Sequence, residues 1–145
     1  MQISDIMIGN FVVVPDSASL RQAAVSMGEH GSDVLLVERD ERVVGTLSWR
    51  DLSLKGYAEG RDPDKDSVAT VMAQHIASCP LESDLTTALH LMIDQDVDAV
   101  VLGDPPEKAI GLVSRTRVLE ELADPSKDPL GPTPPPVNRV RGNPV

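Results

Sequence analysis

The sequence predicts an α+β fold in which two β-α-β-β-α repeats pack about a pseudo-twofold axis. The first observation behind this prediction is an internal duplication. Six residues recur at a constant spacing of 65 positions: Met7, Pro15, Leu20, Ala23, Met27 and Asp33 return as Met72, Pro80, Leu85, Ala88, Met92 and Asp98. The second observation is that Gly45 and Ser48 return as Gly111 and Ser114, 66 positions on, after one inserted residue. The third is that both copies show the same order of apolar runs and helical stripes. So long a period indicates two copies of a small module and not a solenoid.

The first copy can be followed element by element. Residues 11–14 form a short β-rich run closed by Pro15, which is typical of a strand followed by a turn. Ser19 and Gln22 form a capping box, and apolar residues at helical spacing predict a helix over 19–30, ended by Gly31. Residues 34–37 predict a strand covered on both faces, 38–42 a hairpin tip and 43–47 the returning strand. Ser48 then caps a helix predicted to run to about residue 59.

The second copy repeats this order. Strands are predicted at 77–79, 99–102 and 109–113, with a hairpin loop at 103–108. Helices are predicted at 84–95 and, capped by Ser114, from there to about residue 123. Residues 61–66 form a polar linker, and Ser67 caps a short helix that ends near Met72. Seven prolines lie beyond residue 124, so the tail is predicted to be disordered or similar to polyproline II. The predicted organisation is a first repeat at 1–60, a linker at 61–66, a second repeat at 67–123 and a tail at 124–145.

Composition narrows the classes of partner. The 145 residues are 41% hydrophobic and contain one Phe, one Tyr and one Trp, so the core must be aliphatic. A net charge of −10 and few aromatic rings argue against binding of nucleic acid. Cys79 is the only cysteine, which excludes an intrachain disulfide, and it is predicted to be a small buried residue. No apolar run reaches 18 residues and no signal peptide is evident, so we expect a cytoplasmic protein without a membrane partner.

The stretch from Gly45 to Asp51 is the strongest candidate site. A strand ends at Thr46 and Leu47, Ser48 caps the next helix, and Asp51 lies in that helix's first turn. Free N–H groups at a helix start bind anions, and a carboxylate can accept from both hydroxyls of a ribose. The stretch is therefore suited to a nucleotide. The alternative is an ordinary capped helix with an acidic first turn.

Together these features resemble a tandem pair of CBS domains, a Bateman module, over residues 1 to about 123. The resemblance rests on the element order, on Pro15 and Pro80, and on the spacing of Gly45, Ser48 and Asp51. The family typically binds adenosine ligands such as AMP, ADP, ATP or S-adenosylmethionine. The resemblance implies that Asp51 takes the ribose, that Ser48 and Arg50 meet the phosphates, and that the adenine slot is lined by neighbouring strands. The residues expected at this site are Val12, Val13, Val34, Thr46, Ser48, Arg50 and Asp51.

The second copy departs from this pattern. Its signature contains Ser114, Arg115 and Arg117, and Arg117 stands where the ribose carboxylate belongs. A guanidinium has five donors and no acceptor, so it cannot take two ribose hydroxyls. Arg115 and Arg117 either hold phosphates or pair with surface carboxylates.

Other chemistry is not indicated. Asp94, Asp96 and Asp98 imitate the start of a calcium loop, but the glycine and glutamate that such a loop needs are missing. These aspartates are predicted to cap a helix end and a turn. No catalytic set and no metal site can be named, so we expect a protein that is not an enzyme and that requires no cofactor.

The function that the sequence favours is a stand-alone regulatory sensor. It is expected to bind an adenosine nucleotide as regulatory ligand, to form a homodimer and to act in trans on an effector protein that the sequence does not identify. The alternative is a protein-interaction or dimerisation scaffold whose nucleotide sites are degenerate.

Overall fold

The computed structural model describes residue 3, residues 11–104 and residues 108–124. The predictions for Met7 and for the tail beyond residue 124 lie outside the described residues. The first repeat consists of β1 (Val13–Pro15), α1 (Leu20–His30), β2 (Val34–Arg39), β3 (Arg42–Ser48) and α2 (Trp49–Asp51), which continues as a π-helix over Leu52–Tyr57. A 3₁₀ turn at Val68–Thr70 follows. The second repeat consists of β4 (Ser78–Cys79), α3 (Leu85–Asp94), β5 (Ala99–Asp104), β6 (Lys108–Ser114) and α4 (Arg115–Leu122).

The predicted fold class is confirmed, because each repeat forms the same mixed three-stranded sheet. β1 is parallel to β2 and β2 is antiparallel to β3; β4, β5 and β6 pair in the same way. A register shift lies between Val37 and Glu38 and at the equivalent place between Leu102 and Gly103. Two residues connect β2 to β3 and three connect β5 to β6, so the inserted residue of the second copy lies in its hairpin connection.

Helix α1 begins and ends where the sequence predicts. The Ser19 Oγ accepts from the Gln22 backbone N–H, and the Ser19 backbone N–H donates to the Gln22 side chain, which completes the capping box. Gly31 has a φ of 61° and closes the helix in the left-handed conformation.

The helix after Ser48 differs from the prediction. It is α-helical for only one turn and then widens into the π-helix, in which the N–H of Ala58 donates to the carbonyl of Ser53, five residues back. Gly56 lies on the side of this helix that faces α1, where a Cβ would be 3.6 Å from Leu20 Cδ1. The helical turns end at Tyr57, and Gly60 follows with a φ of 71°.

Among the described residues, the core consists of three apolar clusters. One belongs to the first repeat and one to the second, each between a sheet and its own helices. The third lies between the two sheets and contains residues from both: Val34, Leu36, Val43, Ala99, Val101 and Leu112. The strands therefore face each other across the pseudo-twofold axis, and the helices lie on the outside.

Each repeat receives a segment that precedes the other repeat. Val68, Val71 and Met72 pack into the core of the first repeat, and Val68 N donates to Ala18 O over 2.8 Å. Ile3 packs into the core of the second repeat, and its N–H donates to Ser83 O over 2.9 Å. These two pairs are related by the 65-residue spacing, so the exchange follows the pseudo-twofold axis. The domain boundaries at residues 60, 66 and 123 stay predictions.

Among the described residues, no helix combines the length and the apolar character needed to cross a bilayer.

Candidate functional site

The candidate site is a cleft of about 190 Å³ between the two repeats, called here the Asp51 cleft. The first repeat contributes the end of β3 and the helix that follows it, and the second repeat contributes the turn between α3 and β5. The cleft is lined by Thr46, Ser48, Arg50, Asp51, Leu54, Lys55, Ala73, Asp96, Val97 and Asp98. Four residues predicted from the sequence thus lie together here: Thr46, Ser48, Arg50 and Asp51.

Asp51 lies at the start of α2 and is held there by hydrogen bonds. The residue is only 7% exposed, and its Oδ2 accepts from the Ser48 backbone N–H over 3.0 Å. In return, the Asp51 N–H donates to Ser48 Oγ over 3.2 Å, which makes a reciprocal capping box. The other oxygen, Oδ1, is 3.2 Å from Lys55 Nζ. Because Lys55 is half exposed, a ligand hydroxyl can compete with it for this oxygen.

The second repeat closes the cleft with two carboxylates. Ser48 Oγ lies 2.8 Å from Asp98 Oδ2 and 3.1 Å from Asp51 Oδ2, and its single proton can serve only one of them. Arg50 donates to Asp96 Oδ1 over 3.0 Å and to the Asp96 carbonyl over 2.9 Å, and its Nε is 3.2 Å from Asp98 Oδ2. The hydrogen bond to Asp96, with the charges of Asp98, Asp96 and Asp51, raises the pKa of Arg50 above its ordinary value despite partial burial. The cleft therefore contains three carboxylates against two cations.

Sequence reasoning missed Lys55, Asp96 and Asp98 as members of this cleft. Asp96 does occupy a turn after α3, with a φ of 51°, but Asp98 reaches across to the other repeat. One signal in the sequence could have indicated it, because Asp98 repeats Asp33 at the 65-residue spacing. Lys55 carried the weaker signal of a cation four residues after Asp51 on a helix.

Among the residues expected at the adenine slot, Val34 lies beside the candidate site. It pairs with Ser48 between β2 and β3 and lines a cleft together with Ser48 and Arg50. It also lines a second cleft of about 160 Å³, together with Phe11, His30, Leu112 and Ser114. Val12 borders the core of the first repeat, and Val13 is 38% exposed. Neither valine lines the Asp51 cleft or the second cleft as the described residues form them.

In the second copy, Ser114 caps α4 and accepts from the Arg117 N–H over 3.1 Å. Arg117 Nη1 lies 3.6 Å from both Glu120 Oε2 and Glu121 Oε2 on its own helix. Arg115 donates to the carbonyl of Val97 over 3.0 Å and shares a further cleft with Arg50. Arg117 thus pairs with one exposed and one buried carboxylate, and its role toward a ligand stays a prediction.

Two face-to-face sheets, with a helix start at clefts between them in each repeat, define a duplicated α+β module. Sequence comparison identifies it: a family model of the CBS domain matches residues 3–55 and again 68–124. The chain belongs to the CBS-domain family, as its sequence predicted. Paired CBS domains of this kind are generally regulatory and not enzymatic.

Among the proteins similar to this chain are two found by sequence and one solved structure. An uncharacterised protein of Methanopyrus kandleri is 27% identical over 100 residues, which are 68% of this chain and 51% of that protein. The chain thus spans about half the length of this relative. Hypoxic response protein 1 of Mycobacterium tuberculosis is 26% identical over 122 residues, 83% of this chain and 84% of that protein. The solved structure of a hexameric CBS-CP12 protein from bloom-forming cyanobacteria has a TM-score of 0.76 and 23% identity, covering 89% of this chain and 75% of that one.

Proposed function

We propose that this CBS pair is a regulatory module that binds an adenosine ligand in the Asp51 cleft and signals to a partner protein. The observation that carries the proposal is the Asp51 carboxylate. This carboxylate is buried at the start of a helix, and the capping box fixes its Oδ2. Its Oδ1 is paired only with Lys55, which a ligand can displace. A ribose diol needs such a fixed acceptor.

The other groups of the cleft can contact the remaining parts of a nucleotide. Arg50 and Lys55 are the two cations that can meet a phosphate, and Leu54, Ala73 and Val97 supply apolar surface for a base. At about 190 Å³ the cleft is smaller than the roughly 300–1,000 Å³ typical of a drug-sized ligand, so Arg50 must turn away from Asp96 and Asp98 to admit a nucleotide. This movement would break the contacts of Arg50 between the repeats and provides the second conformational state that regulation requires.

Isothermal titration calorimetry with AMP, ADP, ATP and S-adenosylmethionine tests the proposal. We expect one ligand to bind the parent chain, and Asp51→Asn to weaken binding about ten- to hundred-fold, since a charged acceptor contributes about 1.5–3 kcal/mol. Asparagine preserves the size and the acceptor of the capping box, so the fold is retained. Asp94→Asn is the matched control, because it removes the same charge from an exposed position outside the cleft. If both variants bind the ligand equally well, Asp51 is not part of the binding site.

A scaffold without a nucleotide is the second candidate, and the carboxylates of the second repeat favour it. Asp96 and Asp98 already satisfy Arg50 and Ser48, which leaves fewer donors for phosphates. In this case none of the four ligands binds, and the Asp51→Asn variant keeps the oligomeric state and partner of the parent chain.

We also propose that the chain forms a homodimer through the outward faces of its helices. Val25 on α1, Ile93 on α3 and Leu119 on α4 are large apolar residues that are more than half exposed. Burying such residues is the usual driving force for symmetric association. Sedimentation velocity of the parent chain and of Ile93→Asp measures this directly: a dimer that becomes a monomer on substitution supports the proposal, and a monomeric parent contradicts it.

A further inference from the structure

The first repeat has an apolar groove on its outer surface, which shares Trp49 with the cleft lined by Arg50 and Arg115. The groove has a volume of about 300 Å³ and lies between α1 and the helix that begins at Trp49. Its walls are formed by Leu20, Ala24, Trp49, Leu52, Gly56 and Tyr57. We call it the aromatic groove, because it contains the only Trp and the only Tyr of the chain.

Both aromatic rings are far more exposed than such residues usually are. Trp49 is 44% exposed and Tyr57 is 90% exposed. Tyr57 thus contributes almost nothing to the packing of the described fold, although an aromatic ring buries a large area when it finds a partner. A concave patch of exposed apolar surface is typical of a site where another polypeptide segment binds.

One edge of the groove carries an unused donor. Arg61 lines the groove, and its Nε is buried without a hydrogen-bond partner among the described residues. A buried donor left unpaired is unfavourable, so a ligand that brings an acceptor is preferred. Arg21, on the same side, is already paired with Asp64 through two contacts of 2.5 and 3.1 Å. The groove therefore combines aromatic rings with a guanidinium whose buried Nε lacks an acceptor among the described residues.

We propose that the aromatic groove binds the proline-rich segment 132–136 of this same chain, with the sequence Pro-Thr-Pro-Pro-Pro. Proline-rich segments in the polyproline II conformation dock in grooves lined by aromatic rings, and the backbone carbonyls of that helix have no internal partners. One such carbonyl would accept from Arg61 Nε. The inference does not depend on nucleotide binding.

Charge and length favour this occupant over an unrelated peptide. Arg139 and Arg141 follow the prolines, while residues 59–66 beside the groove carry four carboxylates and the two cations Arg61 and Lys65, a net charge of −2. The described chain leaves the fold after α4 at Asp124. Eight residue steps lead from Asp124 to Pro132, where the segment begins, and they span about 25 Å at ~3.1 Å per residue, against the ~35 Å width of a compact module of this size. Tethering also holds the segment at a roughly millimolar effective concentration, so a weak contact is sufficient.

Trp49 gives the proposal a direct assay in the full chain, because it is the only tryptophan and lies in the groove. Acrylamide quenching of its fluorescence is measured for the parent and for a variant carrying Pro134→Ala, Pro135→Ala and Pro136→Ala. We expect the substitutions to raise the Stern–Volmer constant about two-fold and to shift the emission to longer wavelength, since the indole loses its cover. The matched control carries Pro125→Ala and Pro129→Ala, which remove prolines outside the segment and should leave the quenching unchanged.

A second pair of variants tests the groove itself. Tyr57→Ala should raise Trp49 quenching to the level of the triple proline variant, and Tyr57→Phe, which keeps the ring, should behave as the parent. Because Tyr57 is 90% exposed, neither change threatens folding. Quenching that is insensitive to the prolines and to Tyr57 overturns the proposal. The proposal is also overturned if Trp49 is protected from quenching, and this protection is lost on dilution but not on proline substitution. A second copy of the chain would then be the occupant of the groove.

Discussion

Replacing Gly45 by alanine is the sharpest test of how the first repeat is assembled. Gly45 lies in β3 where the segment after the linker crosses the strand. Thr46 N donates to Ala73 O over 3.1 Å, and Ala73 N donates to Thr46 O over 2.8 Å. A Cβ on residue 45 would lie 2.4 Å from Ala73 O and 3.1 Å from Met72 Sδ. The glycine is required here because another backbone approaches too closely for any side chain.

The size of the effect follows from these distances. Relieving the contact with Ala73 O needs a shift of about 1 Å in residues 72 and 73, which breaks or stretches both hydrogen bonds at a cost of about 2 kcal/mol. Met72 and Val71 are buried in the core of the first repeat and would be displaced with the segment, which adds about 1 kcal/mol or more. We therefore expect Gly45→Ala to lower the free energy of unfolding by about 3 kcal/mol.

Urea unfolding followed by circular dichroism measures this change. For a slope of about 2 kcal/mol/M, the midpoint should fall by about 1.5 M. Gly28→Ala is the matched control, because a Cβ on Gly28 has no neighbour within 4 Å. In the interior of α1 this control should raise stability by about 0.5–1 kcal/mol. A Gly45→Ala variant within about 0.5 kcal/mol of the parent would refute the close approach of the two backbones.

Three further predictions address the turn, the thiol and the cleft. Asp40 and Glu41 connect β2 to β3 with φ of 53° and 63°, so replacing them by Asn-Gly should stabilise the fold by about 1 kcal/mol; an unchanged or lower midpoint in urea contradicts this. Burial raises the pKa of the Cys79 thiol, and the hydrogen bond with Ser83 only partly opposes the shift. Less thiolate is then present at any given pH, so Cys79 should react with Ellman's reagent more slowly than a free cysteine, with a pH profile displaced upward; equal rates before and after unfolding argue against it. Finally, Asp98→Asn removes a charged competitor for Arg50, so it should strengthen ATP binding about five-fold and leave the affinity for adenosine unchanged. If calorimetry shows the same change for both ligands, Arg50 does not contact the phosphates.

Much of the fold could be predicted because the information is local or repeated. Ser19 and Gly31 mark the ends of α1 through their own side chain and backbone, which need no distant partner. The 65-residue spacing predicted the two halves, and the buried runs predicted the strands. The π-helix after Asp51 was not predicted, because its widened turns involve packing against α1 that no local periodicity encodes.

The candidate site was predicted only for the side that one repeat contributes. Ser48, Arg50 and Asp51 are neighbours in sequence, so their shared position at a helix start follows from a motif. Asp98 contacts Ser48 from 50 residues away, and the pairing depends on how the two sheets stack. Tertiary packing determines which side chains meet across such an interface, and a sequence motif carries no information about it.

The exchange of leading segments has a consequence for the origin of this architecture. Neither repeat builds its core from its own contiguous stretch, since Val68 belongs to the first core and Ile3 to the second. A polypeptide with a single repeat would have to take the missing segment from another molecule, as in a domain-swapped dimer. Two repeats joined in one chain turn that concentration-dependent association into an intramolecular step. The two repeats should therefore fold and unfold together, and separating them at the linker would leave two incomplete halves that regain structure only by finding each other.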